Sequence, residues 1–204
     1  GGEPTLLGLD FFRKVVAFQQ RHAKGGQRIE NDLQTNGTML DEDWARFLKQ
    51  HRFLVGLSID GPREIHDHYR ITKRAEPTFD KVFAAAKMLH KHGVRFNTLT
   101  CVHRYNASKP LDVYRFLRRE VGSTYIQFIP IVEIKGFENI APGAWDTANL
   151  PIVGDPRCHP DHPESVVTPW SVAADEYGYF LCKIWDEWQS RDVGKVLINL
   201  CETL

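Results

Sequence analysis

Phe53-Leu-Val-Gly-Leu-Ser-Ile59, followed at once by Asp60-Gly61-Pro62, is the stretch on which the fold turns. Seven residues with only Gly56 and Ser58 breaking an apolar run are too few for a helix of ordinary length. They suit a strand buried on both faces, of the kind found in parallel sheets. Asp-Gly-Pro then stops the strand, because proline cannot donate to a ladder and glycine accepts turn conformations. Outward on either side the pattern repeats. Leu9 to His22 places Phe11, Phe12, Val15, Val16 and Phe18 on one broad helical face, and Gly25-Gly26 ends it. Residues 28–35 read as extended and close in the turn signal Asn36-Gly37. Asp41 is an N-cap before a short helix over residues 42–49.

Downstream, residues 79–92 read as a helix closed by Gly93, and 94–102 as a strand. Residues 110–119 form a helix that begins with Pro110, and 124–131 form a strand. Residues 132–168 carry no periodicity and many Pro, Gly, Asp and Asn, the mark of a long functional or irregular loop. Residues 172–189 are strongly amphipathic, and 195–200 begin one more element. Alternating helix and strand predicts parallel strands with helices outside, an α/β fold. Periodicity leaves both an open doubly wound sheet and a barrel possible. In either, ligands gather where the strands end.

The chain's 204 residues suffice for one well-packed domain, and its 26 basic residues are balanced by 26 acidic ones. That balance gives no basic excess for nucleic acid, and no apolar run is long enough for a membrane span. Cys101, Cys158, Cys182 and Cys201 are scattered without a paired spacing, so reduced thiols are expected rather than a disulfide frame.

Polar groups cluster just after the strands. Gly1-Gly2-Glu3-Pro4 has a carboxylate able to take an ammonium group and glycines that admit a ligand, although a turn before a helix needs no ligand. Gln34-Thr35-Asn36-Gly37-Thr38 is either a polar rim or plain turn chemistry. Ser58-Ile59-Asp60-Gly61-Pro62 leads into Ile65-His66-Asp67-His68-Tyr69-Arg70, where Arg70 fits the role of a carboxylate fork. His66 and His68 have a spacing that suits a strand better than a helix, and Asp67 is a common capping residue. A zinc site there, or at Cys158, His159, Asp161 and His162, lacks the paired ligand sets that structural zinc uses. Asn97 and Gln127 stand in apolar strands, where a polar side chain faces a site or is satisfied locally.

In their order and spacing these segments resemble the radical S-adenosylmethionine (SAM) superfamily, and within it the anaerobic sulfatase-maturating enzymes. The match continues through Phe128-Ile-Pro-Ile-Val-Glu133, Trp170-Ser-Val172, Tyr177-Gly-Tyr-Phe-Leu-Cys182, Asp186-Glu-Trp188 and Arg191-Asp-Val-Gly-Lys-Val196. The resemblance implies a partial (β/α)6 barrel spanning residues 1–204. By resemblance, Gly2 and Glu3 hold the SAM amino group, and Ser58 contacts its ribose or carboxylate region. Arg70 pairs with its carboxylate, Ile131 lies by the adenine with backbone bonds, and Thr35 and Asn36 line the cavity. The activity implied is oxidation of a cysteine or serine in a sulfatase polypeptide to formylglycine through a 5′-deoxyadenosyl radical.

The family's cofactors are SAM and 4Fe–4S clusters, and its electrons come from a donor such as flavodoxin or ferredoxin. Oxygen-sensitive clusters imply the cytoplasm. The family's cluster-binding cysteine loop would precede Gly1, and its cysteine-rich extension with the catalytic aspartate would follow Leu204, so this stretch alone is expected to be inactive. None of the four cysteines present matches a cluster ligand. Alternatives are another peptide-modifying radical SAM enzyme with the same kind of extension, a metal-dependent barrel hydrolase using His66, Asp67 and His68, and a non-catalytic binding module.

Overall fold

The computed structural model describes residues 2–136 and 151–201. Gly1, residues 137–150 and residues 202–204 lie outside the described residues, and with them part of the expected irregular loop and the first glycine of the Gly-Gly-Glu-Pro stretch.

Five strands pair in parallel in strict chain order: β1 (Asp32–Thr35), β2 (Leu54–Ser58), β3 (Arg95–Val102), β4 (Tyr125–Pro130) and β5 (Leu197–Ile198). Between them run α1 (Leu9–His22) before β1, then α2 (Glu42–Gln50), α3 (Arg63–Tyr69) and α4 (Phe79–Lys91). The remaining helices are α5 (Arg104–Ala107), α6 (Pro110–Arg119) and α7 (Ala174–Arg191). Strand order decides what periodicity left open. A doubly wound sheet reverses direction partway, whereas a sheet that adds each strand beside the last, with crossovers of one hand, carries its helices on one face and curls as a barrel does.

The burial pattern agrees. Val55 and Leu57 of β2, Phe96, Thr98, Thr100 and Val102 of β3, and Ile126 and Phe128 of β4 are buried in the core under the helices. Apart from the buried Leu99, the alternate residues are partly open: Gly56, Ser58, Asn97, Cys101, Gln127 and Ile129. The ladder aligns them into rows, Gln34 with Gly56 and Asn97, Ser58 with Leu99 and Gln127, and Cys101 with Ile129. Asn97 and Gln127 therefore lie on the uncovered face with Ser58. At the middle of that face Gly56 lets its neighbours lie flat, since a Cβ there would stand 2.9 Å from Leu99 Cδ1 and 3.1 Å from Gln34 Cγ.

Helix boundaries follow local chemistry. Asp41 Oδ1 accepts from Trp44 N and starts α2 as expected. α1 and α6 occupy the residues that their periodicity predicts. Two short helices are unexpected, α3 and α5. His66 and His68 sit on a helix, not a strand, because the segment is closed by backbone bonds from Ile65 and His66 to Pro62 O and from Arg70 to His66 O.

Gly37 sits where β1 turns towards α2, at φ +76°, and a Cβ would meet Leu57 Cδ1 at 2.6 Å. Gly37→Ala therefore forces both left-handed strain and an overpacked contact. Thermal unfolding should register a loss of about 1–3 kcal/mol, whereas an unchanged Tm would mean that this turn is not held as described.

Candidate functional site

The C-terminal ends of β1 to β4 carry two anchors of opposite charge. The first is Glu3. Its Oε1 accepts from Thr5 N at 3.1 Å and from the hydroxyls of Thr5 and Thr35 at 2.7 Å each, and its Oε2 accepts from Asn36 N at 2.7 Å. Burial alone would raise this carboxyl, but the donors from Asn36, Thr5 and Thr35 outweigh it and hold it below its ordinary value. A carboxylate has about four lone-pair sites, so Oε2, with one donor, keeps room for another.

Thr35 alternates with Leu33 and is buried on the covered face. It supports Glu3 instead of lining the open space, because the two-residue period of the strand turns its side chain under the helices. Asn36 closes a local turn, with Oδ1 accepting from Thr38 N and Thr38 Oγ1. Gly2 is exposed, and a Cβ there would touch nothing within 4 Å.

The second anchor is Arg70, at the end of α3. Its Nε donates to Asp60 Oδ2 at 2.6 Å, and its Nη2 approaches Cys101 Sγ at 3.4 Å. Burial would weaken the Arg70 charge, but Asp60 and then Cys101 raise its pKa above the ordinary value. The Cys101 thiol is pushed up by its own burial and by Asp60, which keeps it protonated.

Arg70 lines a cavity of about 460 Å³ with Asp60, Tyr69, Cys101, His103, Ile131 and Trp170. Of the expected site residues, this cavity brings together Arg70 and Ile131. Gly2, Glu3, Thr35, Asn36 and Ser58 do not line it. Ser58 is on the uncovered face one strand from β3, and its hydroxyl bonds to no described residue.

Ile131 has both backbone groups engaged: its N donates to Val102 O at 2.8 Å and its carbonyl accepts from Val172 N at 2.9 Å. Of the backbone bonds expected towards an adenine, the N–H is thus consumed by the sheet, leaving the side chain and the second lone pair of the carbonyl. The segment after the irregular loop returns beside β4: Ile134 bridges Val167, Thr168 N donates to Glu133 O, and Trp170 Nε1 donates to Glu133 Oε2 at 2.7 Å. That return places the indole of Trp170 at the rim.

Sequence reasoning missed Asp60, Cys101, His103, Tyr69 and Trp170 as cavity residues. For Cys101 a signal existed, since it follows Asn97 and Leu99 at the strand period. His103 had none. It is 3% exposed, its two ring nitrogens bond to no described residue, and burial pushes it down to about 4, so it is neutral.

The histidine and aspartate run does not converge on a metal. His66 is buried, and burial pushes it down to about 4. Its Nδ1 accepts from Asp60 N at 3.4 Å, which leaves the proton on Nε2, 3.1 Å from Thr78 Oγ1. Asp67 Oδ1 accepts from Thr78 N and Phe79 N at the start of α4, and His68 stacks on Tyr105 at 3.8 Å. Among the described residues no three His, Cys, Asp or Glu side chains are grouped to hold a metal ion. The described residues therefore offer no ligand set for a 4Fe–4S cluster. No helix among the described residues is long and apolar enough to cross a membrane.

A family model described as the radical SAM superfamily matches residues 1–117. Over all 204 residues the chain is 39% identical to the serine-type anaerobic sulfatase-maturating enzyme of Bacteroides thetaiotaomicron, covering 46% of it. It is 35% identical over 189 residues to the cysteine-type anaerobic sulfatase-maturating enzyme of Clostridium novyi, covering 92% of this chain and 43% of that one. Among solved structures, native anSMEcpe with bound AdoMet and Cp18Cys peptide superposes with a TM-score of 0.76 at 34% identity, over 98% of this chain and 48% of that one. The chain spans about half the length of the curated relatives it matches.

The Glu3 contacts carry a pH test. A carboxyl whose folded pKa lies below its ordinary 4.5 stabilises the fold above that pH, and loses the contribution as pH falls through the folded value. Glu3→Gln should melt below wild type at neutral pH, with the gap closing as the buffer is taken below about 4.5. A gap that widens on acidification would contradict the donor set around Glu3.

Proposed function

Because the chain belongs to the radical SAM superfamily, we propose that its full-length protein binds SAM and oxidises a cysteine or serine of a sulfatase polypeptide to formylglycine. The observation that carries the reading is the pair of anchors at the strand ends. Glu3 is an acceptor with a vacant lone pair, and Arg70 is a cation whose Nη edge meets only the Cys101 thiol beside an apolar cavity. An amino acid's ammonium and carboxylate need those two partners. The sulfatase-maturating relatives support the substrate class, and their occurrence in both serine and cysteine types leaves the target residue open.

In this reading Glu3, backed by Thr5, Thr35 and Asn36 and flanked by Gly2, takes the ammonium group. Arg70 takes the carboxylate, and the Ser58 hydroxyl meets the ribose or carboxylate side. Asn36 shapes the rim. Ile131 and Trp170 form the apolar wall against the adenine and limit water access, which strengthens each charged contact inside. When bound, SAM together with a reduced cluster would supply the hydrogen-abstracting chemistry. Residues 1–204 form the barrel core in this reading, and none of the chain's four cysteines is matched to a cluster ligand. An electron donor of the flavodoxin or ferredoxin kind and a cytoplasmic setting follow from that chemistry. The peptide enters over the uncovered face, where Asn97 and Gln127 offer amides.

The test is anaerobic incubation of the reconstituted full-length protein with SAM, a reductant and a sulfatase-derived peptide, followed by mass spectrometry. 5′-Deoxyadenosine together with a formylglycine mass shift is expected, and Arg70→Ala should weaken SAM binding by about tenfold or more. Deoxyadenosine with an unmodified peptide would reassign the substrate. Absence of both products from a protein with intact clusters would overturn the enzymatic reading.

A further inference from the structure

Arg70 does not stand alone. Its carboxylate partner Asp60 is 3% exposed on its side chain, whereas Arg70 is 23% exposed. Asp60 Oδ1 accepts from Cys101 N at 2.9 Å, at the end of β3, and Oδ2 accepts from Arg70 Nε. Both neighbours are donors. Only a group with two acceptor oxygens satisfies both, since an amide would set its own N–H₂ against one of them.

The backbone around the pair is equally constrained. Asn106 Nδ2 donates to Asp60 O at 3.4 Å, Asp60 N donates to His66 Nδ1, and Thr78 Oγ1 donates to Arg70 O at 2.6 Å. His66 Nε2 in turn meets Thr78 Oγ1. The buried neutral His66 thereby ties the residue that begins this segment to the one that ends it.

A guanidinium offers two bidentate edges, and Asp60 occupies the Nε side of this one. The edge formed by Nη1 and Nη2 points elsewhere. Nη1 bonds to no described residue, and Nη2 meets only a protonated thiol, a weak acceptor that a carboxylate displaces. We propose that Asp60 is a positioning residue for Arg70, fixing the guanidinium so that its Nη edge is presented to the carboxylate of SAM. The inference rests on the reading of Arg70 as the carboxylate anchor, and it adds a residue that acts through Arg70 without touching the ligand.

The experiment uses the full-length protein with its clusters reconstituted, and two probes: S-adenosylhomocysteine and its decarboxylated counterpart, which keeps the adenosine, sulfur and amine. Calorimetric titration gives the Kd of each. Asp60→Asn should weaken S-adenosylhomocysteine by about tenfold and leave the decarboxylated probe unchanged. Equal weakening of both probes would make Asp60 a support of the loop and overturn the proposal, as would no weakening of either. A wild-type protein that binds the two probes equally would overturn the Arg70 reading itself, a failure visible before any variant is made. Should Asp60→Asn not fold, Asp60→Glu keeps the charge and shifts it by one methylene. It should then show the same carboxylate-selective loss, and a uniform change would sink the idea.

Discussion

A parallel sheet that grows by one strand at a time in one direction can be paved by its crossovers on one face only. Everything else in this molecule follows from that asymmetry. On the paved face every second residue is apolar or a hydrogen-bonded threonine, such as Thr100, whose hydroxyl donates to Ile59 O at 2.7 Å. On the other face the same strands carry Asn97, Gln127, Ser58 and Cys101, which would be costly inside a closed apolar core. The strand ends then gather the charged groups, because each crossover must leave the sheet there through a turn of polar residues.

Much of this was legible in the residues. The apolar run from Phe53 to Ile59 and its Asp-Gly-Pro stop mark β2, and Pro110 marks the first turn of α6. What periodicity left undecided was the choice between barrel-like and doubly wound order, because strand order is a long-range property that local patterns do not carry. β1 also runs shorter than its extended reading: residues 28–31 read as extended, yet the ladder begins at Asp32, where β2 first comes alongside.

The site was legible in part for a similar reason. Arg70 and Glu3 stood out by charge, but their partners come from 10 and 33 positions away. Asp60 looked like a turn residue because Asp-Gly-Pro is a turn, and its second role appears only when β3 supplies Cys101 N. His66 and His68 read as strand neighbours because alternation was the only pattern visible in so short a segment. In the helix one is buried against Thr78 and the other lies flat on Tyr105.

The two anchors also solve a problem that an open site creates. A cation as enclosed as Arg70 is unfavourable without a countercharge, and a site that relied on ligand to supply it would rearrange when ligand left. Asp60 provides that charge permanently, on the edge of the guanidinium away from the Nη edge. Glu3 is stabilised in the same manner by neutral donors, which hold its charge without cancelling it. Both groups are therefore held in place before any ligand arrives, and the ordering entropy that binding would otherwise cost is already met in folding. The arrangement is asymmetric for a physical reason. The more buried anchor requires an ion partner, whereas the more exposed one needs only hydrogen bonds, and the depth of each in the barrel mouth sets which kind of support it has.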